Sequence, residues 1–259
     1  MTPAIHIDRE GALASVVLNQ PAKLNAMNKA MWAGLAEAMH SLSADTGVRC
    51  VIVRGAGEKA FCPGADIGEF EYERSNATQA AEYGRVIQSA VDAMWNCPHP
   101  VVAQIHGVCV GGGLLVASLC DIRICGESSR FGVPVRNLGL VEAYTEMAPL
   151  VRLAGADVAL EILLEGRVFG AAEAREKRLV TRVVPDAKVA QEARASAERI
   201  AEGAPLVARW HKKFVRRLSD PRPISAEEER ECYACFDTND FRIGWAAFLA
   251  KERPQFIGR

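Results

Sequence analysis

The chain has 259 residues, 49% of them hydrophobic, and a formal net charge of −1. That length and apolar content suit one large core, alone or with an appended subdomain, and the near-zero charge disfavours nucleic acid or an anionic membrane surface as a partner. No apolar run is long enough to span a bilayer, and Met1–Ile7 lacks a basic region followed by an apolar stretch, so neither a membrane anchor nor a secretory leader is expected.

In chain order, Ile5–Ile7 and Ala14–Leu18 flank Arg9-Glu10-Gly11 and predict a β-hairpin. Met31, Leu35, Met39 and Leu42 recur at helical spacing and predict a helix over Asn28–Leu42, with Asn28 as its cap. Cys50–Gly55 reads as a buried strand, and Thr78–Met94 as a helix stopped by Pro98-His99-Pro100. A strand over Val101–Ile105 and a helix over Gly112–Leu119 follow, then short strands at Asp121–Cys125 and Phe131–Val135. Helices are predicted over Thr145–Leu153, Ala156–Glu165, Ala171–Lys177 and Ala187–Glu202, with a late strand at Val180–Val184. The class is α/β, with no repeat visible in the residues themselves. Composition shifts near Gly203-Ala204-Pro205, which divides a core over 1–202 from a helical region over 203–259 suited to covering the core or joining a neighbouring subunit.

Five of the eight cysteines (Cys50, Cys62, Cys109, Cys120 and Cys125) lie in apolar runs, as reduced, buried thiols of a cytoplasmic protein do. Cys232 and Cys235 have CxxC spacing without two further ligands nearby, and His99, His106 and His211 show no metal spacing, so no metal is expected.

The most informative segment is Ile105–Leu115, where Gly111-Gly112-Gly113 joins an apolar strand to an apolar helix. Bare backbone there serves either a ligand that approaches the main chain or N–H groups left free at a helix start. Ala60–Ile67 has the same character, running from a strand through Pro63-Gly64 towards a helix start. Two such loops in one domain can aim one N–H each at a single oxygen, which is the design of an oxyanion hole.

Five segments taken together and in order, Leu18–Met27, Ala60–Ile67, Gly107–Gly113, Cys120-Asp121-Ile122-Arg123 and the terminal stretch holding Arg253-Pro254-Gln255-Phe256, resemble the enoyl-CoA hydratase/isomerase (crotonase) family over nearly the whole chain. The resemblance implies a spiral of repeated ββα units with a helical C-terminal region, assembled as trimers or pairs of trimers. It implies an acyl-coenzyme A thioester as substrate, with coenzyme A belonging to the substrate and no separate cofactor. By position, the N–H groups of Ala65 and Gly112 form the oxyanion hole, flanked by Gly111. Lys23, Leu24 and Ala26 then lie by the coenzyme A entrance, and Asp66 and Ile67 line the same groove. Asp66 followed by Glu69 also has the spacing of a capping box, and Asp121 between Cys120 and Ile122 is expected to be buried, hydrogen-bonded and structural.

One departure matters for the reaction. Where hydratases of this family carry two glutamates, this chain has Leu115 and Val135. Neither can transfer a proton. The nearby candidates are Glu142 and Glu146, with Tyr144 as a possible donor to the acyl group. Apolar neighbours would raise the pKa of Glu142 and strengthen it as a base. A single acid beside an oxyanion hole points to an isomerase or lyase moving a proton between carbons. A hydrolase or decarboxylase branch and a non-catalytic acyl-CoA-binding homologue are the alternatives. A nucleotide-binding loop is disfavoured, because no Lys-Ser or Lys-Thr follows Gly113. Finally, Arg209, Lys212, Lys213, Arg216 and Arg217 form a basic helix face opposite Val207, Trp210, Phe214 and Leu218; it is read as solvated, with coenzyme A phosphates as the other possible partner.

Overall fold

The computed structural model describes residues 3–259; Met1 and Thr2, the start of the segment read for a leader, lie outside them. The hairpin forms as β1 (Ile5–Glu10) and β2 (Leu13–Leu18), paired antiparallel. Helix α1 (Lys29–Ala44) is capped by the Asn28 side chain, which accepts from the Met31 N–H at 2.8 Å, and it buries Met31, Trp32, Leu35, Met39 and Leu42. Then come β3 (Cys50–Gly55), β4 (Ala60–Cys62), a 3-10 turn at Ile67–Glu69, the single-turn α2 (Phe70–Glu73) and the long α3 (Ala77–Asn96). The chain continues through β5 (Val101–Ile105), β6 (Val108–Val110), α4 (Gly112–Leu119), β7 (Ile122–Gly126) and β8 (Arg130–Gly132). After a 3-10 turn at Pro134–Leu138 come α5 (Tyr144–Ala154), α6 (Ala156–Glu165), β9 (Phe169–Gly170), α7 (Ala171–Glu176), β10 (Arg182–Val184) and α8 (Val189–Glu202). Past Val184 the described chain has helices and loops only, ending in α9 (Pro205–Arg217), α10 (Ala226–Glu231) and α11 (Asn239–Ala250).

The strands sort into two sheets. One holds β1-β2-β3-β5-β7-β10 and the other β4-β6-β8-β9. Consecutive strands thus alternate between sheets: β3 to β4, β5 to β6 and β7 to β8 each cross from the large sheet to the small one, and a helix follows each crossing. This is a ββα spiral whose repeat lies in topology rather than in the residues. Among the named strands pairing is parallel except in the two edge pairs, the β1–β2 hairpin and β8–β9. Strands β2, β3 and β5 are nearly continuously buried, as central parallel strands covered on both faces must be.

Two expectations are corrected here. Phe131–Val135 is not one strand: β8 ends at Gly132, and Pro134, which has no N–H to extend a ladder, starts the 3-10 turn. The basic face of α9 is largely taken up by protein partners rather than free in solvent, although Lys213 remains 59% exposed. Lys212 and Arg216 each reach Asp121 at 2.8 Å, Lys213 pairs with Glu231, Arg217 pairs with Glu228, and Arg209 donates to the carbonyls of Thr46 and Val48. These charges dock the helix on the core and leave no bare basic strip for phosphates. Asp121 has the expected structural role, also accepting from the Val101 N–H at 2.8 Å. The terminal segment folds back as well: Arg49 donates to the Phe256 carbonyl, and Asp240 accepts from the N–H groups of Ile257 and Gly258.

Candidate active site

Strands β4 and β6 are parallel neighbours in the small sheet, so their C-terminal ends point the same way and the loops that follow lie side by side. The first loop is Pro63–Asp66 and the second is Gly111 leading into α4. Gly111 adopts φ 52° and Gly64 φ 112°, a region that disfavours side chains. A side chain on Gly64 would come within 3.5 Å of the Gly112 nitrogen, and one on Gly113 within 2.1 Å of the Cys62 carbonyl oxygen. The two backbones therefore approach as closely as two backbones can.

That approach sets the donors. The Met27 N–H donates to the Gly64 carbonyl and the Asp66 N–H to the Met27 carbonyl, each at 2.8 Å, so this bridge uses the neighbours of Ala65 and leaves its own N–H unused. The Gly111 N–H donates to the Gly132 carbonyl at 2.9 Å, whereas the Gly112 N–H, at the start of α4, has no main-chain acceptor among the described residues. Ala65 and Gly112 both face one cavity of about 330 Å³. Beneath the first loop, burial pushes the Cys62 thiol up to about 12. It stays protonated and accepts from the Gly64 N–H at 3.3 Å.

Gly111, Ile67, Leu115, Val135, Glu142 and Glu146 line the same cavity. Glu142 precedes α5, and Glu146 lies in its first turn, where the carboxylate accepts from the Ala143 N–H at 2.9 Å. Burial first, then the hydrogen bond to Glu146 and the charge of that group, push the Glu142 carboxyl up to about 8. Burial and the neighbouring carboxyl thus both favour the protonated form of Glu142.

Lys23, Leu24, Ala26, Asp66 and Tyr144 do not line the cavity. Lys23 and Asp66 form a 2.5 Å ion pair beside it, and this bond to the ammonium is the main reason the Asp66 carboxyl sits below its usual range. Asp66 does cap the turn after it, accepting from the Gly68 N–H at 3.2 Å, but no capping box forms: Glu69 instead accepts from the Lys29 N–H and the Tyr83 hydroxyl. Leu24 is partly exposed with φ 54°, and Ala26 is buried. Tyr144 opens α5 and is 89% exposed, outside the residues that line the cavity, so the structure does not place it as the expected donor to a group bound there.

The cavity also takes Trp32, Arg74 and Asn137, none singled out by sequence reasoning. They come from three separate segments, so no spacing joins them. Trp32 is 2% exposed, and its indole nitrogen has no partner among the described residues. No group of three or more His, Cys, Asp or Glu suited to a metal occurs among the described residues, and no described helix is long and apolar enough to cross a membrane.

The enoyl-CoA hydratase/isomerase family model matches residues 8–259. A crotonyl-CoA hydratase from Syntrophomonas wolfei is 31% identical, over 98% of each chain. A crystal structure from Magnetospirillum magneticum, described as an enoyl-CoA hydratase/carnithine racemase, is 52% identical with a TM-score of 0.98, covering 100% of this chain and 97% of that one. The enoyl-CoA hydratase of Bacillus anthracis is 30% identical with a TM-score of 0.91, covering 99% of this chain and 100% of that one. The chain belongs to the enoyl-CoA hydratase/isomerase family. Its fold is the crotonase fold, and it is an acyl-CoA-processing member of a family of enzymes. Within that family, its apolar Leu115 and Val135 form part of the wall, and the cavity carboxylates stand instead around the start of α5.

Proposed function

We propose that the protein hydrates the double bond of a 2-enoyl-CoA thioester, using the N–H groups of Ala65 and Gly112 as an oxyanion hole and Glu142 with Glu146 as the acid–base pair. The observation that carries this reading is the meeting, in one cavity, of two amides without main-chain acceptors among the described residues and two carboxyls.

The chemistry follows from charge. When water attacks the β-carbon, electrons move through the α-carbon onto the thioester oxygen. Two fixed donors stabilise that developing oxyanion more than the ground-state carbonyl, each contributing on the order of 3 kcal/mol to the barrier. The start of α4 adds its positive end at the same place. An ionised Glu146 takes the proton of the attacking water while Glu142 delivers its proton to the α-carbon. The water oxygen is then bonded to the β-carbon and the enolate is quenched. Transfer of the new proton from Glu146 to Glu142 restores the starting state. Lys23, held by Asp66, with Leu24 and Ala26 beside it, flanks the coenzyme A end. A second reading, isomerisation of the double bond, is favoured by the apolar wall of Leu115 and Val135, because one carboxylate can carry a proton between two carbons with water excluded.

A panel of 2-enoyl and 3-enoyl thioesters separates the two readings. Loss of the 2-enoyl chromophore with formation of a 3-hydroxyacyl product supports hydration, whereas interconversion of the two enoyl sets alone supports isomerisation. Glu142→Gln is expected to lower kcat by about 10²–10⁴ with little change in thioester affinity. Unchanged turnover in that variant would remove Glu142 from the mechanism. Tight binding with no reaction on any thioester would leave a binding protein.

A further inference from the structure

Arg74 is the one cation among the residues lining the cavity. It follows the short helix α2, and its guanidinium lies 4.8 Å from the Phe70 ring and 5.0 Å from the Tyr83 ring. Tyr83 is buried and anchored by its hydroxyl, which donates to Glu69 at 3.0 Å. The guanidinium is thus held by aromatic faces, an arrangement that fixes its position and leaves its N–H edge free.

The surrounding carboxylates are committed elsewhere. Asp66 pairs with Lys23 at 2.5 Å and Glu73 with Lys29 at 2.6 Å, while Glu69 accepts from the Lys29 N–H and the Tyr83 hydroxyl. Glu146 accepts from the Ala143 N–H, and the charge of Arg74 is the smallest of the influences on Glu142. Among the described residues Arg74 makes no ion pair, and it lines the cavity together with apolar Ile87 and Leu115. A cation fixed there without an ion-pair partner is complementary to an anion on the ligand, and the guanidinium fork matches a carboxylate in geometry.

We infer that the substrate is an acyl-CoA whose acyl chain ends in a carboxylate, and that Arg74 is the specificity residue that reads it. This inference rests on the acyl-CoA reading above. The thioester oxygen would sit on the amides of Ala65 and Gly112, the methylenes against Ile87, Leu115 and Val135, and the terminal carboxylate on Arg74. A chain ending in a methyl group would leave the guanidinium desolvated and unpaired.

The test is calorimetry with two saturated, unreactive thioesters of equal chain length, glutaryl-CoA and pentanoyl-CoA, with free coenzyme A as a third arm. The native chain is expected to bind glutaryl-CoA at least ~10-fold more tightly than pentanoyl-CoA. Arg74→Met should abolish that preference by weakening glutaryl-CoA and strengthening pentanoyl-CoA, while leaving coenzyme A unchanged. Arg74→Lys, which keeps the charge and its place over the rings, should retain part of it. Equal affinity of the native chain for the two thioesters overturns this inference alone. So does an Arg74→Met effect of equal size on all three ligands, since the guanidinium would then be meeting a coenzyme A phosphate. If neither thioester binds, the acyl-CoA reading falls and this inference falls with it.

Discussion

Gly111, Gly112 and Gly113 are glycines for three different reasons. Gly111 holds φ 52°, Gly112 would carry a side chain to within 3.1 Å of Trp32, and Gly113 lies against the Cys62 carbonyl. The sequence suggested ligand approach or free N–H groups as the cause for all three, but for Gly113 the cause is close strand–helix packing. Gly113→Ala is therefore expected to destabilise the fold by about 1–3 kcal/mol, read by urea unfolding, because rigid backbone cannot move away from the added methyl group. Glu142 makes the opposite kind of prediction, one of function. Its carboxyl titrates near 8 in the fold against an ordinary 4.5, so the folded state binds the proton more tightly than the unfolded chain does. Stability should accordingly fall as pH rises from about 4.5 to about 8 and then level off, and Glu142→Gln should remove that slope. The rate should fall above about 8 as Glu142 loses its proton. A pH–rate profile flat through that range would mean that the proton of Glu142 is not the one transferred.

At the scale of elements, what could be read in the sequence was what repeats over many residues. The helices α1, α3 and α8 and the strands β2, β3 and β5 announce themselves by period and burial. Strands β4 and β6, at three residues each, are too short to show alternation, and so the small sheet that aligns the two amide loops stayed hidden although both loops were singled out. Likewise Glu142 and Glu146 were visible as candidates, but their meeting in the cavity of the two amides was not. The basic face of α9 was misread because its acids, Asp121, Glu228 and Glu231, are distant in sequence. This correction carries its own consequence. Lys212 is only 7% exposed and relies on Asp121 for a countercharge. Asp121→Ala should cost about 1–3 kcal/mol, less than a fully buried pair because the aspartate is partly solvated. Adding Lys212→Met should recover part of that loss in urea unfolding, since the stranded ammonium is then gone. A double variant no more stable than the single one would show that the pair contributes nothing to docking the helix.

For the molecule as a whole, the open question is what covers its helical end. Helix α11 exposes Phe241, Trp245, Phe248 and Leu249, with Phe248 81% exposed, and exposed Phe236 lies against Phe241. Apolar surface gathered in this way marks an interaction site, and resemblance to the crotonases makes further copies of the chain the expected partner. Light scattering should then give three or six times the 28.1 kDa chain mass. Trp245→Glu combined with Phe248→Glu should shift the protein towards monomer, because each buried carboxylate would face an apolar neighbour. Turnover is expected to survive that dissociation in part: every residue lining the acyl cavity lies between Trp32 and Glu146, well before α11, so one chain builds the chemical site alone. A native chain that runs as a monomer at micromolar concentration would leave the apolar face of α11 to a partner other than itself.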